Sequence, residues 1–319
     1  MLEFNRNKVH KIALVIGVGD GACKALNHIY LNNNFDTFDF LAVNTDKQAL
    51  SNLEIPSTKQ LLIGVKTTKG MGCGTDPKLG KKSAIESITA IKEHISKEYK
   101  IIFILAAMGG GTGTGASQFI AELCQKSGSL VISVVSGPHK LEAEIRQIHA
   151  HNGINSLCKC SDAVFLFPND RIISLLDFES NPLAFKASDQ IFKMPVEIIL
   201  DLISNQGYIN IDLEDMESTL RGVNALTAII SGTGHGHERL AEVLREMYAS
   251  PYLSEIKINS TEKILVSFEY GSESEITMNE MGDAIDSLQD KFGFDTKISW
   301  GNCFNPRLSN QIRISAIVS

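Results

Sequence analysis

Short apolar segments recur through the first half of the chain and alternate with longer segments whose apolar residues are spaced three and four apart. The first kind is typical of buried parallel strands, and the second predicts amphipathic helices. The predicted strands are 11–17, 38–44, 59–64, 101–108, 130–137 and 162–168, and the predicted helices are 22–32, 80–98, 113–127 and 139–158. This alternation indicates an α/β fold built on a parallel sheet.

The pattern changes at Pro182, where one long amphipathic segment runs to residue 204. It contains Pro195, which a long helix tolerates with a kink. Strand-like segments then follow at 222–232, 262–271, 295–301 and 311–319, with helices predicted at 236–249 and 277–293. The sequence therefore predicts a parallel-sheet domain over 1–181, a long central connecting helix over 182–204 and a smaller α+β second domain over 205–319.

Composition narrows the class of protein. The chain has 319 residues, of which 43% are hydrophobic, and a formal net charge of -7. An acidic chain without a clustered basic face is not expected to bind nucleic acid or an anionic membrane surface. The sequence has no apolar run long enough to span a bilayer and no secretory leader at its start, so we expect a cytoplasmic protein.

The strongest chemical signal is GGGTGTG at 109–115, placed between a predicted buried strand and an amphipathic helix. Glycines let backbone amides approach an anion without hindrance from Cβ, and the start of the following helix favours negative charge. A plain strand-to-helix turn needs only one or two glycines. The segment therefore predicts a site for a di- or triphosphate.

Two other glycine-rich segments allow different interpretations. Gly17, Gly19 and Ala22, with Asp46 further along, fit a loose Rossmann pattern and leave a dinucleotide-dependent oxidoreductase as a remote alternative. GMGCG at 70–74 precedes TDPKLGKKS, but Thr75 stands where a P-loop has its first glycine. We therefore do not expect a Walker motif there, and Lys81 and Lys82 are predicted to be solvated helix residues.

An acidic segment, YINIDLEDMES, follows the predicted connecting helix and contains Asn210, Asp212, Glu214 and Asp215. Such residues can simply cap a helix or form a solvated turn. They can also orient a water molecule or hold a metal near a phosphate. The spacing alone does not decide between these roles.

Taken together, these motifs resemble the tubulin/FtsZ superfamily and are most similar to bacterial-type FtsZ. The resemblance covers about residues 11–319. It rests on IGVGDGACKALN, AVNTDKQAL, GMGCGTDPKLGKK, FILAAMGGGTGTGAS, FLFPNDRI, AFKASDQIF and NIDLED, in that order along the chain. It implies a GTP-binding first domain, GTP or GDP with Mg²⁺ as cofactors, and assembly-dependent hydrolysis of GTP in cytoskeletal filaments, typically in cell division.

The resemblance also assigns nucleotide contacts. Asn44 and Asp46 match the loop near the phosphates and magnesium, while Glu142 and Arg146 match contacts to the ribose side and the phosphates. The metal is expected to be held through the phosphates, with Asp46 as the one candidate protein ligand. The positions that match the phosphate loops are Gly19, Gly21, Gly72, Cys73, Gly74, Gly110, Gly111, Thr112 and Gly113.

The implied guanine pocket consists of Asn169, Phe185 and Asp189. Its chemistry is reasonable, because a carboxylate can accept hydrogen bonds from both N1 and N2 of guanine, which adenine cannot supply. Phe185 precedes Asp189 by one helical turn and could stack on the base. The pocket would therefore select guanine over adenine.

Asn210, Asp212 and Asp215 match the loop that the family inserts into the nucleotide site of the neighbouring subunit, where the aspartates orient the attacking water. The partner implied is a second copy of the chain, joined head to tail in an open homopolymer. A divergent protein that polymerises poorly, or that serves a role other than division, is the alternative.

Several positions depart from the family pattern. Lys24 replaces a usual asparagine, while Asp20 and Ala22 replace glycines, which puts a carboxylate close to the phosphates. The sequence ends at Ser319, directly after its last predicted strand, without the tail through which division proteins of the family bind membrane tethers. Either the sequence has been trimmed, or the chain is a divergent paralogue that is not recruited to the membrane directly.

Overall fold

The computed structural model describes residues 11–32, 38–95, 99–168, 192–200, 202, 209–250, 252–253, 256, 261–272 and 275–319. These residues fall into two compact units that divide between Ser161 and Asp162. Most of the predicted connecting helix lies outside the described residues, although its described stretch 192–200 is helical. The three-part division at 181 and 204 therefore stays a prediction.

The first unit alternates strands and helices, as the sequence pattern predicts. Its strands are β1 (Ala13–Val18), β2 (Phe38–Asn44), β3 (Gln60–Leu62), β4 (Ile101–Ala107) and β5 (Leu130–Gly137). Its helices are α1 (Asp20–Asn32), α2 (Lys47–Ser51), α3 (Val65–Thr68), α4 (Pro77–Glu86), α5 (Ile88–Ile95), α6 (Gly111–Gln125) and α7 (Glu144–Leu157).

The sheet of this unit has the order β3-β2-β1-β4-β5, and every neighbouring pair is parallel. The prediction of a parallel sheet is therefore confirmed. The chain leaves β1 for β2 on one side and later returns to β4 on the other, so the strand order reverses at β1. In such sheets ligands bind beyond the carboxyl ends of the strands at the reversal, which here are Val18, Asn44 and Ala107.

The prediction of a single helix over 80–98 is wrong. Two helices, α4 and α5, meet at Ser87, where the backbone leaves helical geometry with φ −100° and ψ 19°. The Ser87 hydroxyl accepts a hydrogen bond from the Gly64 amide at 2.9 Å. Serine side chains that bind backbone groups elsewhere compete with a continuing helix, which explains a break that apolar spacing could not reveal.

Helices α4 and α6 cross at small residues, and this crossing gives a stability prediction. A Cβ at Gly115 in α6 would lie 2.8 Å from the Lys81 amide nitrogen and would overlap the carbonyl of Pro77, whereas one at Gly282, also inside a helix, would meet nothing within 4 Å. We expect Gly115→Ala to destabilise the protein by about 2 kcal/mol or more through overpacking. Gly282→Ala, its matched control, should stabilise by about 0.5–1 kcal/mol. Denaturant unfolding of both variants checks the opposite signs.

The second unit is α+β, as predicted. Its strands are β6 (Ala163–Pro168), β7 (Leu226–His235), β8 (Lys263–Tyr270), β9 (Lys297–Phe304) and β10 (Gln311–Val318), and its helices include α8 (Leu213–Leu220), α9 (Arg239–Tyr248) and α10 (Met278–Phe292). The order β6-β7-β10-β8-β9 is mixed, because β10 runs antiparallel to both neighbours while the outer pairs are parallel. Apolar side chains of this sheet and of α9 and α10 form one core.

A two-point ion pair joins α9 to α10. Arg239 donates from Nε to Glu280 Oε1 at 2.6 Å and from Nη2 to Oε2 at 2.8 Å. These bonds are the main reason that the pKa of Glu280 falls from 4.5 to about 2. Glu280 also closes a capping box with Thr277 at the start of α10.

The pair predicts how stability depends on pH. A depressed carboxyl pKa contributes stability that is full above about pH 4.5 and is lost as the pH falls toward 2. We expect Glu280→Gln, which keeps the cap, to lower stability by about 1–2 kcal/mol at pH 7 and to flatten the acid limb. Glu217→Gln, which breaks the exposed pair with Arg221, should cost less than about 0.5 kcal/mol. Unfolding curves from pH 7 to 2 test both.

Within the part of the chain that the structure describes, no helix combines the length and the apolar character needed to cross a bilayer.

Candidate functional site

An open cavity of about 480 Å³ lies in the first unit, beyond the carboxyl ends of β1, β2 and β4. Twelve of the predicted nucleotide contacts line it: Gly19, Gly21, Asn44, Asp46, Gly72, Cys73, Gly74, Gly110, Gly111, Thr112, Gly113 and Arg146. The three glycine-rich segments therefore meet at one site. Val18, Asp20, Met71 and Ala107 are the other lining residues within the described part of the chain.

The loops around the cavity are joined directly to one another. The Thr45 hydroxyl, after β2, lies 2.6 Å from that of Thr112 at the start of α6, and both side chains are buried. The Gly72 amide donates to the carbonyl of Thr45 at 3.1 Å, and the Gly111 amide donates to that of Gly74 at 2.9 Å. These bonds hold the backbone of the cavity in place before any ligand arrives.

The first loop requires glycine at position 19. Its φ is +83°, and a Cβ there would lie 2.9 Å from the Gly113 amide nitrogen. The turn brings the amino ends of α1 and α6 to the same cavity, because α1 begins at Asp20 and α6 at Gly111. Two helix N-termini directed at one cavity favour an anion such as a polyphosphate.

Behind this loop, the buried Cys23 thiol donates to the carbonyls of Gly17 at 3.3 Å and Val43 at 3.4 Å. Burial raises the pKa of Cys23 to about 12. The thiol therefore stays protonated at neutral pH and continues to donate to the two strands from which the loop emerges.

Asn44 is the most informative side chain of the cavity. It is only 2% exposed, and its Oδ1 accepts from the amides of Thr45 at 2.8 Å and Asp46 at 3.3 Å. Its Nδ2 has no hydrogen-bond partner among the described residues. Leaving a buried donor unpaired costs about 1–3 kcal/mol, so a ligand that supplies an acceptor oxygen would relieve that cost.

Asp46 has a structural task as well as a place in the cavity wall. Its Oδ1 accepts from the amides of Gln48 at 2.8 Å and Ala49 at 3.0 Å, which caps α2. Its Oδ2 lies close to Gly72, another lining residue. A Cβ atom added at Gly72 would be 3.7 Å from this oxygen. Carboxylate oxygen is a ligand that Mg²⁺ accepts, so Asp46 fits a metal bound beside phosphates.

Arg146, near the start of α7, supplies a cation to the cavity wall. Its Nε lies 3.0 Å from Glu142 Oε2, and Glu142 Oε1 accepts from the His139 amide at 2.8 Å. Glu142 does not itself line the cavity. It lies beside Arg146 as a counter-charge without a well-directed hydrogen bond to Nε, so its effect on a ligand would be indirect.

In the second unit, Asp212 and Asp215 form a capping box at the start of α8. Asp212 Oδ1 accepts from the Asp215 amide at 2.9 Å, and Asp215 Oδ2 accepts from the Asp212 amide at 3.2 Å. Asn210 and Asp212 are exposed. The capping role considered from sequence is therefore present, and each carboxylate retains lone pairs for a further partner.

The remaining predicted positions give mixed outcomes. Asn169, Phe185 and Asp189 lie outside the described residues, so the guanine pocket stays a prediction. The start of α4 is capped by the Asp76 carboxylate, which accepts from the Lys78 amide at 2.9 Å. Lys81 and Lys82 are exposed as predicted.

The sequence analysis missed Thr45 and Ala107. Thr45 directly follows the buried strand β2, and Ala107 ends the buried strand β4, so both lie where a strand enters the site.

Comparisons with known proteins agree with this geometry. Residues 12–177 match the "Tubulin/FtsZ family, GTPase domain", and residues 225–319 match the "FtsZ family, C-terminal domain". A relative named cell division protein FtsZ 1, from Archaeoglobus fulgidus, is 31% identical over 314 residues, which cover 98% of this chain and 83% of the relative. The Rossmann oxidoreductase alternative is not retained.

Solved structures give the same result. An empty FtsZ dimer from M. jannaschii is similar with a TM-score of 0.85 and 27% identity, over 98% of this chain and 89% of that one. CetZ1 from Haloferax volcanii, at 20% identity and a TM-score of 0.82, shares the fold over 96% of this chain and 93% of its own. The chain therefore belongs to the tubulin/FtsZ family of GTPases.

Proposed function

We propose that the chain binds GTP with Mg²⁺ in the cavity of its first unit and hydrolyses it within head-to-tail filaments. The observation that carries this proposal is the buried, unpartnered Nδ2 of Asn44, a residue that lines a cavity walled by three glycine-rich loops and two helix N-termini. A triphosphate supplies the acceptor oxygens and negative charge that this arrangement lacks.

The protein's own groups would divide the work at the phosphates. Backbone amides of the glycine loops bind the phosphate oxygens, Asn44 donates from Nδ2, and Arg146 supplies a fixed positive charge. Bound Mg²⁺ supplies charge neutralisation between phosphate oxygens, and Asp46 is the side chain placed to hold it. These groups bind and orient the nucleotide without themselves activating water.

Activation of water would then come from a second subunit. Asp212 and Asp215 are carboxylates in a rigid capping box, and a carboxylate near a phosphate can orient or deprotonate a water molecule. Together with Asn210 they would enter the nucleotide cavity of the neighbouring copy. A contact of this kind joins two different faces and does not close, so it generates an open filament.

The cellular task proposed is cytoskeletal, in the cytoplasm and in cell division, and the name of the Archaeoglobus relative supports it. A form that binds nucleotide weakly and polymerises poorly is the second candidate. Asp20 favours it, since this carboxylate lines the same cavity. Guanine selection by Asn169, Phe185 and Asp189 is part of the proposal, and membrane tethers and nucleic acid are not proposed as partners.

Sedimentation with GTP, GDP or ATP, run beside phosphate release, tests the proposal. We expect pelleting and phosphate release with GTP alone, and a specific activity that rises above a threshold protein concentration. GTP binding without pelleting at any concentration would favour the second candidate. Equal turnover of ATP and GTP would contradict the guanine pocket, and flat specific activity down to dilute protein would contradict a shared site.

A further inference from the structure

The charges around the nucleotide cavity do not favour an anion. Among the described residues that line it, the charged side chains are Asp20, Asp46 and Arg146, which is two carboxylates against one guanidinium. The guanidinium is itself paired with Glu142 at 3.0 Å. A polyphosphate entering this cavity therefore meets net negative side-chain charge, and its attraction depends on the backbone amides, on Asn44 and on the one guanidinium.

Asp20 is the decisive member of this set because of where it lies. It is the first residue of α1, a helix of 13 residues whose amino end points into the cavity. A carboxylate in the first turn is stabilised by the helix dipole, and a bound phosphate would be stabilised by the same partial charge. The negative charge of Asp20 therefore lies at the helix N-terminus, where a bound phosphate would otherwise be stabilised.

Lys24 partly neutralises that carboxylate. Its Nζ lies 2.8 Å from Asp20 Oδ2, one helical turn further along α1, and the two side chains are 66% and 56% exposed. An exposed pair with this spacing contributes little and opens easily. The ammonium can therefore leave Asp20 for a phosphate oxygen, but only if another cation then faces Asp20.

We infer that Asp20 makes nucleotide binding at this site dependent on a divalent cation, and that Lys24 sets how strongly. This inference rests on the proposed function and concerns its regulation. Asp46 would hold a Mg²⁺ ion that arrives with the nucleotide, and the charge of the ion would offset the repulsion between the phosphates and the carboxylates of Asp20 and Asp46. Without the metal, Lys24 stays paired with Asp20 and offsets only part of the repulsion between Asp20 and the phosphates.

The test is the GTP dissociation constant measured by equilibrium binding, with Mg²⁺ and with EDTA, for the full chain and its variants. We expect removal of Mg²⁺ to weaken binding to the unaltered protein by about tenfold or more. Asp20→Asn should recover about fivefold of that loss, because one repelling charge is gone. Lys24→Gln should act in the opposite direction, weakening binding without Mg²⁺ by about fivefold.

Controls separate this role from a general charge effect. Asp283→Asn changes the net charge as Asp20→Asn does, and Lys82→Gln changes it as Lys24→Gln does, but both are at exposed positions that do not line the cavity. Both controls should leave the ratio of the GTP dissociation constants with and without Mg²⁺ unchanged. In the Asp20→Asn background, Lys24→Gln should lose most of its effect, since Lys24 acts through Asp20. Far-ultraviolet circular dichroism confirms that each variant folds.

The outcomes are distinguishable. If the unaltered protein binds no GTP even with Mg²⁺, the proposed function fails and this role fails with it. If it binds GTP equally with and without Mg²⁺, or if Asp20→Asn leaves the ratio unchanged, the proposed function stands and the role of Asp20 is overturned.

Discussion

Asp212→Asn should lower the rate of GTP hydrolysis by on the order of 10²-fold or more, with GTP affinity unchanged. The reason is that the carboxylate would serve the nucleotide of the neighbouring subunit and not the one bound to its own chain. Asp215→Asn is expected to behave in the same way. Phosphate release and equilibrium GTP binding, measured on the same preparations, give the two quantities that should separate.

The choice of asparagine follows from the capping box. Asp212 Oδ1 accepts from the Asp215 amide, and an asparagine side chain caps a helix about as well as aspartate does. Loss of activity in Asp212→Asn would therefore not come from fraying of α8. Asp212→Ala removes the cap as well and should lower stability by about 1 kcal/mol, so it confounds the two effects.

Glu214→Gln is the matched control, because Glu214 is exposed in the same turn but is not part of the capping box. It should retain nearly full activity. If Asp212→Asn lost affinity in proportion to rate, or if Glu214→Gln lost as much activity, the assignment of the aspartates to the next subunit's site would be wrong.

Sequence patterns predict secondary structure well where one residue property, such as hydrophobicity, repeats along the chain. Buried parallel strands have continuous apolar segments, so β1, β2 and β4 were predicted within about two residues of their observed bounds, and the glycine loops after them were found with them. Because these strands end at one edge of the sheet, their loops converge. This topology accounts for the meeting of the loops, whereas the lining residues themselves were assigned through the family resemblance.

Features that depend on single side-chain contacts were not predictable. The break at Ser87 depends on one bond to the Gly64 amide, and the pairing of Asp20 with Lys24 depends on rotamers. The sequence showed that Asp20 and Lys24 were unusual but not that they pair. Likewise, Asn44 was assigned by resemblance, while its unpaired Nδ2 is visible only when every neighbouring acceptor has been located.

That unpaired nitrogen gives the second large effect. We expect Asn44→Asp to weaken GTP binding by about 10²-fold, a cost of about 2–3 kcal/mol. The substitution keeps an Oδ1 to accept from the amides of Thr45 and Asp46, so the loop after β2 keeps its bonds. It replaces only the donor Nδ2 with a carboxylate oxygen, which carries negative charge toward the phosphates.

The pH dependence and a matched variant make this prediction specific. Burial and the nearby phosphates should raise the pKa of the new carboxyl group, and once protonated it can donate a hydrogen bond again. Binding by Asn44→Asp should therefore recover in part as the pH falls from about 8 to 6. Asn27 also accepts from two backbone amides, those of Glu54 at 2.8 Å and Ile55 at 3.0 Å, but does not line the cavity. Asn27→Asp should leave GTP affinity unchanged at every pH, and equal losses in the two variants would show that Asn44 supports the fold and does not bind the nucleotide.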